Sequence, residues 1–341
     1  MENGVKNILV IGGSYFLGKC FLEQLLGACA EHIPGEVDEK DTGESNEKLC
    51  ISVMNRGSVP MDDLLSMGQS LVSDGRLEIR HLIADRQDNQ TLRQLASEYF
   101  ADRTIDAVVD FCGYTEGDIQ GIFDSFQSIR QYIFISTVDV YRRGTGQILD
   151  ENTPYEDRNF GGEAGAYILG KVALEKELRS CCERTGTVWT ILRPAVIYGP
   201  GNYAPREGMY FHWIREAGQI LHPVDATGWF QMVYVEDVAK IILRCVGNEM
   251  TYDKAYNVCD SQTLTYETFA DILTTATGVQ FTKVELPVQE ILQREIPLPF
   301  PLRAEESERY SGERVKELGV TFTDAVQGMQ QSYRLFHIKN R

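Results

Sequence analysis

A short apolar run that leads directly into a glycine-rich turn constrains this chain most. Residues 7–11 (NILVI) precede the turn 12–18 (GGSYFLG), and apolar residues then recur at helical spacing, namely Phe21, Leu22, Leu25, Leu26 and Cys29. This order predicts a strand, a tight turn and a helix. The free N–H groups and positive dipole at such a helix N-terminus bind phosphate groups. The start of the chain therefore predicts a phosphate-binding βα unit.

The turn departs in one place from the fingerprint of dinucleotide-binding domains. Gly12 permits a tight turn and Gly18 allows the helix to approach the strand, but Tyr15 stands where the fingerprint has glycine. Either the Tyr15 ring turns outward or the cofactor lies slightly displaced. We predict cofactor contacts along the whole turn, from Gly12, Gly13, Ser14, Tyr15, Phe16, Leu17 and Gly18.

Strand-like and helix-like segments alternate after this unit. Apolar runs at 49–54, 77–83, 105–109 and 132–135 predict strands. Helical spacing between them joins two sets of apolar residues, Leu92, Leu95, Ala96 and Tyr99, and then Ile119, Ile122, Phe123, Phe126 and Ile129. The alternation predicts an α/β fold, a Rossmann-type doubly wound parallel sheet. The acidic, glycine-containing stretch 31–48 predicts a surface insertion before the second strand.

The later third of the chain differs in composition. Residues 202–213 and 221–231 mix aromatic side chains with arginine and histidine, as pockets for polar rings or anions do. They equally suit the core of a small domain. We expect a Rossmann domain over residues 1–195 and a smaller C-terminal α/β substrate-binding lobe over 196–341, with 232–260 returning to the first domain.

Charge and composition exclude several classes of function. The 341 residues carry 33 basic and 50 acidic side chains, a net charge of −17 that would repel nucleic-acid backbones. No signal-peptide pattern and no apolar run of about 18 residues occurs, so we expect a cytoplasmic protein without membrane contact. Eight cysteines without a C-x-x-C pair indicate reduced core residues, and five scattered histidines indicate no metal site.

The ends of the predicted strands supply candidates for cofactor binding. An acidic residue at the end of the second strand would select NAD through the ribose diol. Asn55 and Arg56 stand there instead, which favours the 2′-phosphate of NADP. Asp85 follows the third strand and can meet the adenine amino group. Cys112 and Gly113 follow the fourth strand in a turn of small residues, where the nicotinamide ribose can pass.

Tyr167 and Lys171 lie four residues apart, and hence on one face of a helix. An ammonium near a phenol favours the phenolate, so it lowers the pKa of the tyrosine. A hydroxyl from the strand end at Thr137 could hold a substrate oxygen while the tyrosine exchanges a proton with it. The arrangement predicts acid–base chemistry beside a hydride acceptor.

Taken together, these motifs resemble the extended short-chain dehydrogenases/reductases, the family of NAD-dependent nucleotide-sugar epimerases and dehydratases. The resemblance also includes residues 193–201 (RPAVIYGPG) and 233–239 (VYVEDVA). It implies that Thr137 binds the reacting oxygen, that Tyr167 is the acid/base, and that Lys171 binds the nicotinamide ribose. It further implies a cofactor contact at Pro194 and a homodimer. The glycine turn is similar to a subset that includes chloroplast stem-loop RNA-binding proteins.

Two departures from the family pattern leave the reaction open. Dehydratases of the family follow their threonine with Asp-Glu, whereas this chain has Val138-Asp139, so Asp139 is either a lone base or a surface carboxylate. The stretch 195–197 is apolar where sugar-nucleotide enzymes tend to carry asparagine. We expect a sugar-like substrate and epimerisation, with an NADPH-dependent reductase or a non-catalytic RNA-binding relative as alternatives. Candidate substrate residues are Asp139, Arg206, His212 and Arg303.

Overall fold

The computed structural model describes residues 5–31, 48–144 and 146–339. Its strands are β1 (Asn7–Ile11), β2 (Leu49–Asn55), β3 (Leu77–Ile83), β4 (Ile105–Asp110), β5 (Ile129–Ile135), β6 (Ile148–Leu149), β7 (Val188–Pro194), β8 (Val196–Tyr198), β9 (Gln219–Pro223), β10 (Met232–Tyr234), β11 (Lys254–Val258), β12 (Thr282–Leu286) and β13 (Arg309–Tyr310). Its helices are α1 (Phe16–Glu31), α2 (Asp62–Ser73), α3 (Asn89–Phe100), α4 (Asp118–Ser125), α5 (Gly162–Thr185), α6 (Glu207–Ala217), α7 (Val235–Cys245), α8 (Tyr266–Thr277), α9 (Val288–Gln293) and α10 (Ala325–Lys339).

The main sheet has seven strands in the order β11-β7-β5-β4-β1-β2-β3. Pairing is parallel from β7 through to β3, and β1 lies between β2 and β4. The strand order reverses direction at β1, which is the switch point where the carboxyl ends of such sheets open a ligand crevice. The predicted Rossmann-type doubly wound sheet is confirmed.

Burial on both faces explains why the central strands read as apolar runs. Every residue of β4 is buried, and in β5 Tyr132 and Phe134 are fully inaccessible. They belong to a core cluster with Leu92 of α3, Ile122 of α4 and Leu174 of α5. Helices therefore cover the sheet and fix the directions in which its strand ends point.

The chain divides into two compact units. Unit 1 consists of the described residues of Met1–Val140, Asp157–Leu192 and Ala239–Ala255, and unit 2 of those of Tyr141–Glu156, Arg193–Val238 and Tyr256–Arg341. Unit 2 contains three small parallel strand pairs, β8 with β10, β9 with β12, and β6 with β13. Its core includes Phe230 stacked on Phe300, with 3.7 Å between the ring centroids.

One local prediction needs correction, and one helix was missed. The predicted helix extended to Ile129, but α4 ends at Ser125, and Ile129 begins β5 opposite Ile105 of β4. Pairing along the sheet overrides the helical spacing of that isoleucine. Helix α2, between β2 and β3, was not predicted from apolar spacing. Residues 32–47 of the predicted insertion lie outside the described residues.

Candidate functional site

The glycine turn between β1 and α1 is built by close backbone packing. Gly12 adopts a φ of +84° and its N–H donates to the Met54 carbonyl at 2.9 Å. A Cβ atom on Gly12 would lie 2.8 Å from Sγ of Cys112, and one on Gly18 would lie 2.7 Å from the Gly12 carbonyl oxygen. Neither position admits a side chain without movement. The turn therefore brings the first N–H groups of α1 to the carboxyl end of β1, as phosphate binding requires.

Tyr15 and Phe16 show how the turn manages without its middle glycine. The Tyr15 side chain is 52% exposed, so its ring turns outward, which is one of the two explanations left open by the sequence. Phe16 adopts a φ of +41°, a left-handed conformation that side chains rarely take and that stores strain. Leu17 is buried in the core and Ser14 is half-buried. Leu17 can thus meet a ligand through its backbone only.

The ends of β2 and β3 place three predicted cofactor residues in unit 1. The amide oxygen of Asn55 accepts hydrogen bonds from the Gly57 N–H at 2.7 Å and from Nε2 of His81 at 2.9 Å. Arg56 is exposed. Asp85 is exposed as well, and its carboxylate accepts from the N–H of Gln87 at 3.0 Å. In doubly wound sheets that bind dinucleotides, the residue that follows the second strand lies beside the adenosine ribose.

A buried ion pair was not predicted; it joins Arg86, which follows β3, to Asp110, the last residue of β4. Nη1 and Nη2 of Arg86 each lie 2.9 Å from an oxygen of the fully buried Asp110, which also accepts from the Tyr132 hydroxyl at 2.6 Å and the Cys112 N–H at 3.0 Å. Burial alone would raise the pKa of Asp110, but the Arg86 guanidinium brings it below its ordinary value. An ionisable residue at the end of an apolar strand is the signal that could have indicated it.

The turn after β4 lies beside this ion pair. Burial, and the neighbouring Asp110 carboxylate, raise the pKa of the Cys112 thiol to about 11, so the thiol stays protonated at neutral pH. A Cβ atom on Gly113 would lie 2.9 Å from the Phe134 ring. A larger residue at position 113 would therefore displace the Phe134 ring, which explains the small residue in this turn.

Lys171 of α5 is buried, and its ammonium donates to the Ile135 carbonyl at 2.9 Å. Nζ also lies 4.7, 5.0 and 6.0 Å from the ring centroids of Phe134, Tyr114 and Tyr167. Burial lowers the pKa of Lys171 to about 8, although the Asp110 carboxylate opposes this. Tyr167 itself is 42% exposed, so a ligand can reach its ring. The structure brings the predicted tyrosine and lysine together on one helix face.

Thr137 and Asp139 contact each other after β5. The buried Thr137 hydroxyl donates to the Asp139 carboxylate at 3.2 Å and accepts from the Asp139 N–H at 3.2 Å. Asp139 is half-buried, and its role as a lone base stays a prediction. Just before them, Ser136 donates at 2.6 Å to the buried Glu175, one helical turn beyond Lys171. A short 3₁₀ turn after β5 produces the contact between Thr137 and Asp139. The sequence of this turn resembles that of any residues that follow a strand.

The remaining predicted residues belong to unit 2 or to its boundary. Pro194 is buried at the end of β7. Arg206 is half-buried and donates from Nη1 to the Ile197 carbonyl at 3.1 Å. His212 on α6 and Arg303 are both exposed. Next to Arg206, the buried carboxylate of Glu207 accepts from the Gly199 N–H and from the Asn202 amide.

The described part of the chain lacks a metal cluster and a membrane-spanning helix. Within it, no group of three or more His, Cys, Asp or Glu side chains could hold a metal ion. No helix of residues 5–31, 48–144 and 146–339 combines the length and the apolar character needed to cross a bilayer. The glycine turn, with its close-packed Gly12 and Gly18, fits a dinucleotide.

Comparisons with known proteins identify the family of this chain. The NAD dependent epimerase/dehydratase family matches residues 8–259. The chain is 26% identical over 275 residues to the chloroplast stem-loop binding protein of 41 kDa b of Arabidopsis thaliana, an alignment that covers 80% of this chain and 64% of that protein. The chain thus spans less than two thirds of the length of that relative.

Solved structures show the same fold at low sequence identity. The UDP-glucose 4-epimerase of Thermotoga maritima is 16% identical with a TM-score of 0.72, covering 98% of this chain and 100% of its own. The UDP-glucuronic acid 4-epimerase of Bacillus cereus, in complex with UDP-glucuronic acid and NAD, is 16% identical with a TM-score of 0.69, covering 98% and 99%. The dTDP-glucose 4,6-dehydratase of Bacillus anthracis, in complex with NAD, is 15% identical with a TM-score of 0.68, covering 98% and 97%.

Proposed function

Because the chain belongs to the NAD-dependent epimerase/dehydratase family, we propose that it transfers a hydride at a carbinol carbon of a sugar or sugar nucleotide. The net reaction proposed is epimerisation. The observation that carries the proposal is the pair on α5, a buried Lys171 ammonium one helical turn from a Tyr167 that a ligand can reach. A cation in that position serves acid–base chemistry better than stability, because burying it costs free energy.

The cofactor would lie along the strand ends of unit 1. Bound NAD(P) supplies a hydride acceptor. The turn from Gly12 to Gly18 would bind its pyrophosphate, Asn55, Arg56 and Asp85 its adenosine half, and Cys112, Gly113 and Lys171 the ribose on the nicotinamide side. The family resemblance adds Pro194, at the end of β7, to the proposed cofactor contacts.

The reacting proton belongs to Tyr167 in this proposal. Its hydroxyl oxygen takes the proton of the substrate hydroxyl and later returns it, while Oγ1 of Thr137 holds the same substrate oxygen. Lys171, whose pKa of about 8 keeps most of it protonated at neutral pH, favours the phenolate. In the structure the Thr137 hydroxyl donates to Asp139 at 3.2 Å, so in this proposal it rotates from Asp139 to donate to the substrate oxygen when substrate binds.

Cofactor preference and substrate are further parts of the proposal. Asn55 and Arg56 favour NADP, although the Bacillus cereus and Bacillus anthracis structures contain NAD. We assign the cofactor to residues 1–195 and most substrate contacts to 196–341, with 232–260 in the first domain, and Arg206, His212 and Arg303 as candidate anion contacts. The named ligands of the similar structures support a sugar nucleotide, whereas the apolar stretch 195–197 favours a simpler sugar.

Replacing Tyr167 by phenylalanine tests the proposal. The change removes one hydroxyl, so we expect turnover to fall by about 10³-fold. Affinity for the cofactor should stay within about twofold, because the ring is retained. Measurement requires steady-state rates with candidate sugars and a fluorescence titration of the reduced cofactor. A variant that turns over at the wild-type rate would remove Tyr167 from the mechanism.

A reductase with exchanging cofactor is the first alternative. Mass spectrometry of the nucleotide that co-purifies separates the two: a retained NAD supports an internal redox cycle and epimerisation, and an empty site that prefers NADPH supports a reductase. Stem-loop RNA binding is the second alternative, favoured by the name of the Arabidopsis relative. The net charge of −17 argues against RNA binding, because it repels the phosphate backbone. A salt-dependent RNA affinity that survives Tyr167→Phe would support RNA binding.

The assembly and its compartment complete the proposal. We propose a cytoplasmic homodimer, on the family resemblance of the helix that carries Tyr167 and Lys171. Sedimentation velocity at micromolar protein concentration tests the assembly, and a monomer would contradict it.

A further inference from the structure

The side chain of Asn55, at the carboxyl end of β2, has a fixed orientation. Its Oδ1 atom lies 2.7 Å from the backbone nitrogen of Gly57 and 2.9 Å from Nε2 of His81. The Gly57 N–H can only donate, so the atom that it meets is the amide oxygen and not the amide nitrogen. The backbone therefore decides which way the amide points.

His81 completes this arrangement from the neighbouring strand. The amide oxygen has no hydrogen to give, so Nε2 of His81 carries the proton in this pair. The sheet sets the position of the ring, since β3 pairs with β2 in parallel register and Val53 lies opposite His81. Both Asn55 and His81 are half-buried, which limits competition from water.

The two hydrogen bonds use both lone pairs of the Asn55 oxygen. One hydrogen of the amide nitrogen is directed at Sδ of Met61, a weak acceptor at 3.7 Å. Asn55 can therefore offer a ligand an N–H donor and no acceptor. A free ribose diol needs an acceptor at this strand end, and a 2′-phosphate needs donors.

We propose that Asn55, held by His81, selects a dinucleotide with a 2′-phosphate at the end of β2. Arg56, the exposed next residue, adds positive charge without setting this geometry. His81 is a positioning residue here, because it contacts Asn55 and not the ligand. The inference rests on the proposed function, which supplies the dinucleotide.

Binding measurements on the full chain test the inference without any need for turnover. The probes are NAD and NADP, titrated by calorimetry at one pH and one salt concentration. The variants are Asn55→Asp, His81→Leu and His81→Gln, and the control is Arg93→Gln, an exposed arginine on α3. Urea unfolding of each variant shows that it is folded. Asn55→Asp retains the acceptor for the Gly57 N–H, so we expect it to fold.

The expected readout is the ratio of the affinity for NADP to that for NAD. The wild-type protein should favour NADP, and Asn55→Asp should lower the ratio by at least about tenfold, because it adds an acceptor and a negative charge. His81→Leu frees one lone pair of Asn55 and should lower the ratio about threefold to tenfold. His81→Gln restores a donor and should recover most of the ratio, while Arg93→Gln leaves it unchanged.

Three outcomes would overturn the inference. A wild-type preference for NAD, or a ratio unchanged in both Asn55→Asp and His81→Leu, would make the pair a structural tie between β2 and β3, with the proposed enzyme function intact. Binding of neither dinucleotide to the folded wild-type protein would reject the proposed function together with the inference.

Discussion

One buried carboxylate from each unit of this protein shows two different ways of holding such a group. In unit 1, Asp110 meets the Arg86 guanidinium through two hydrogen bonds, and its pKa is lowered despite burial. In unit 2, Glu207 is equally buried, but its hydrogen-bond partners Gly199 and Asn202 are neutral, and burial raises its pKa. The groups around a buried carboxylate, and not the depth of burial alone, decide whether its pKa ends above or below the ordinary value.

The predicted reacting residues of unit 1 and two predicted anion contacts of unit 2 also differ. Lys171 is buried against three aromatic rings, and Thr137 is bonded to Asp139. His212 and Arg303 of unit 2 are exposed. Held groups with altered pKa values suit a reacting centre, and accessible cations suit recognition of whichever ligand arrives.

Replacing Asp110 by asparagine gives the largest expected effect. It leaves the buried Arg86 with only the more distant Asp118 carboxylate, 3.7 Å from Nε, so we expect the free energy of unfolding at pH 7 to fall by about 3 kcal/mol. Two controls bracket this change. Tyr132→Phe removes one hydrogen bond to Asp110, and Glu207→Gln leaves no buried cation unpaired, so each should cost only about 1 kcal/mol.

Urea titration of the three variants measures these differences. The lowered pKa of Asp110 also predicts how the stability difference changes with pH. Its stabilisation is present above the pKa of the unfolded carboxyl and disappears as the pH falls, so the wild-type advantage over Asp110→Asn should shrink in acid. Equal losses of unfolding free energy for Asp110→Asn and Glu207→Gln would contradict the difference drawn between these two carboxylates.

Lys171→Met should stabilise the protein while it abolishes turnover. The lysine pKa falls from 10.5 to about 8 on folding, so the protonated side chain opposes folding at neutral pH. Removing the ammonium relieves this cost but also loses the hydrogen bond to the Ile135 carbonyl. The net result should be a rise of about 2 kcal/mol in the free energy of unfolding at pH 7. The wild-type protein regains stability as pH rises from 8 to 10.5, because the unfolded chain then binds more protons.

The gain of Lys171→Met over wild type should therefore shrink across that pH range. Lys176→Met, at an exposed position on the same helix, is the control and should change stability by less than about 0.5 kcal/mol. Urea midpoints at pH 7 and pH 10 measure both variants. A Lys171→Met protein that is less stable than wild type at pH 7 would mean that the contacts of Lys171 stabilise the fold by more than its burial costs.

The sequence predicted the parts of this architecture that depend on neighbouring residues. The glycine turn is local, and the close approaches at Gly12 and Gly18 leave no choice of residue there. Alternating apolar runs predicted the sheet, because its central strands β1, β4 and β5 are almost entirely buried. Helix α2 was missed because only Leu64, Gly68 and Leu71 of it are buried, too few for a clear apolar pattern.

The missed parts of the candidate site depend on residues distant in the sequence. Arg86 and Asp110 are 24 positions apart, and only the crossover from β3 to β4 places them together. Arg86 follows an exposed Asp85 and looks like any solvated arginine in the sequence. The rings around Lys171 likewise come from three different segments, so the burial that lowers its pKa has no local signature.

The smallest expected effect on stability comes from unit 2, and this makes it informative about binding. Arg303→Gln and His212→Gln change exposed side chains, so each should alter the free energy of unfolding by less than about 0.5 kcal/mol. A rise in KM of about tenfold for an anionic sugar substrate, with kcat unchanged, would therefore report a lost contact and not a distorted fold. Because the cofactor contacts proposed in unit 1 do not involve either residue, cofactor affinity is the internal control. If KM stays the same in both variants, the accessible cations of unit 2 are not the anion contacts, and the half-buried Arg206 becomes the next residue to test.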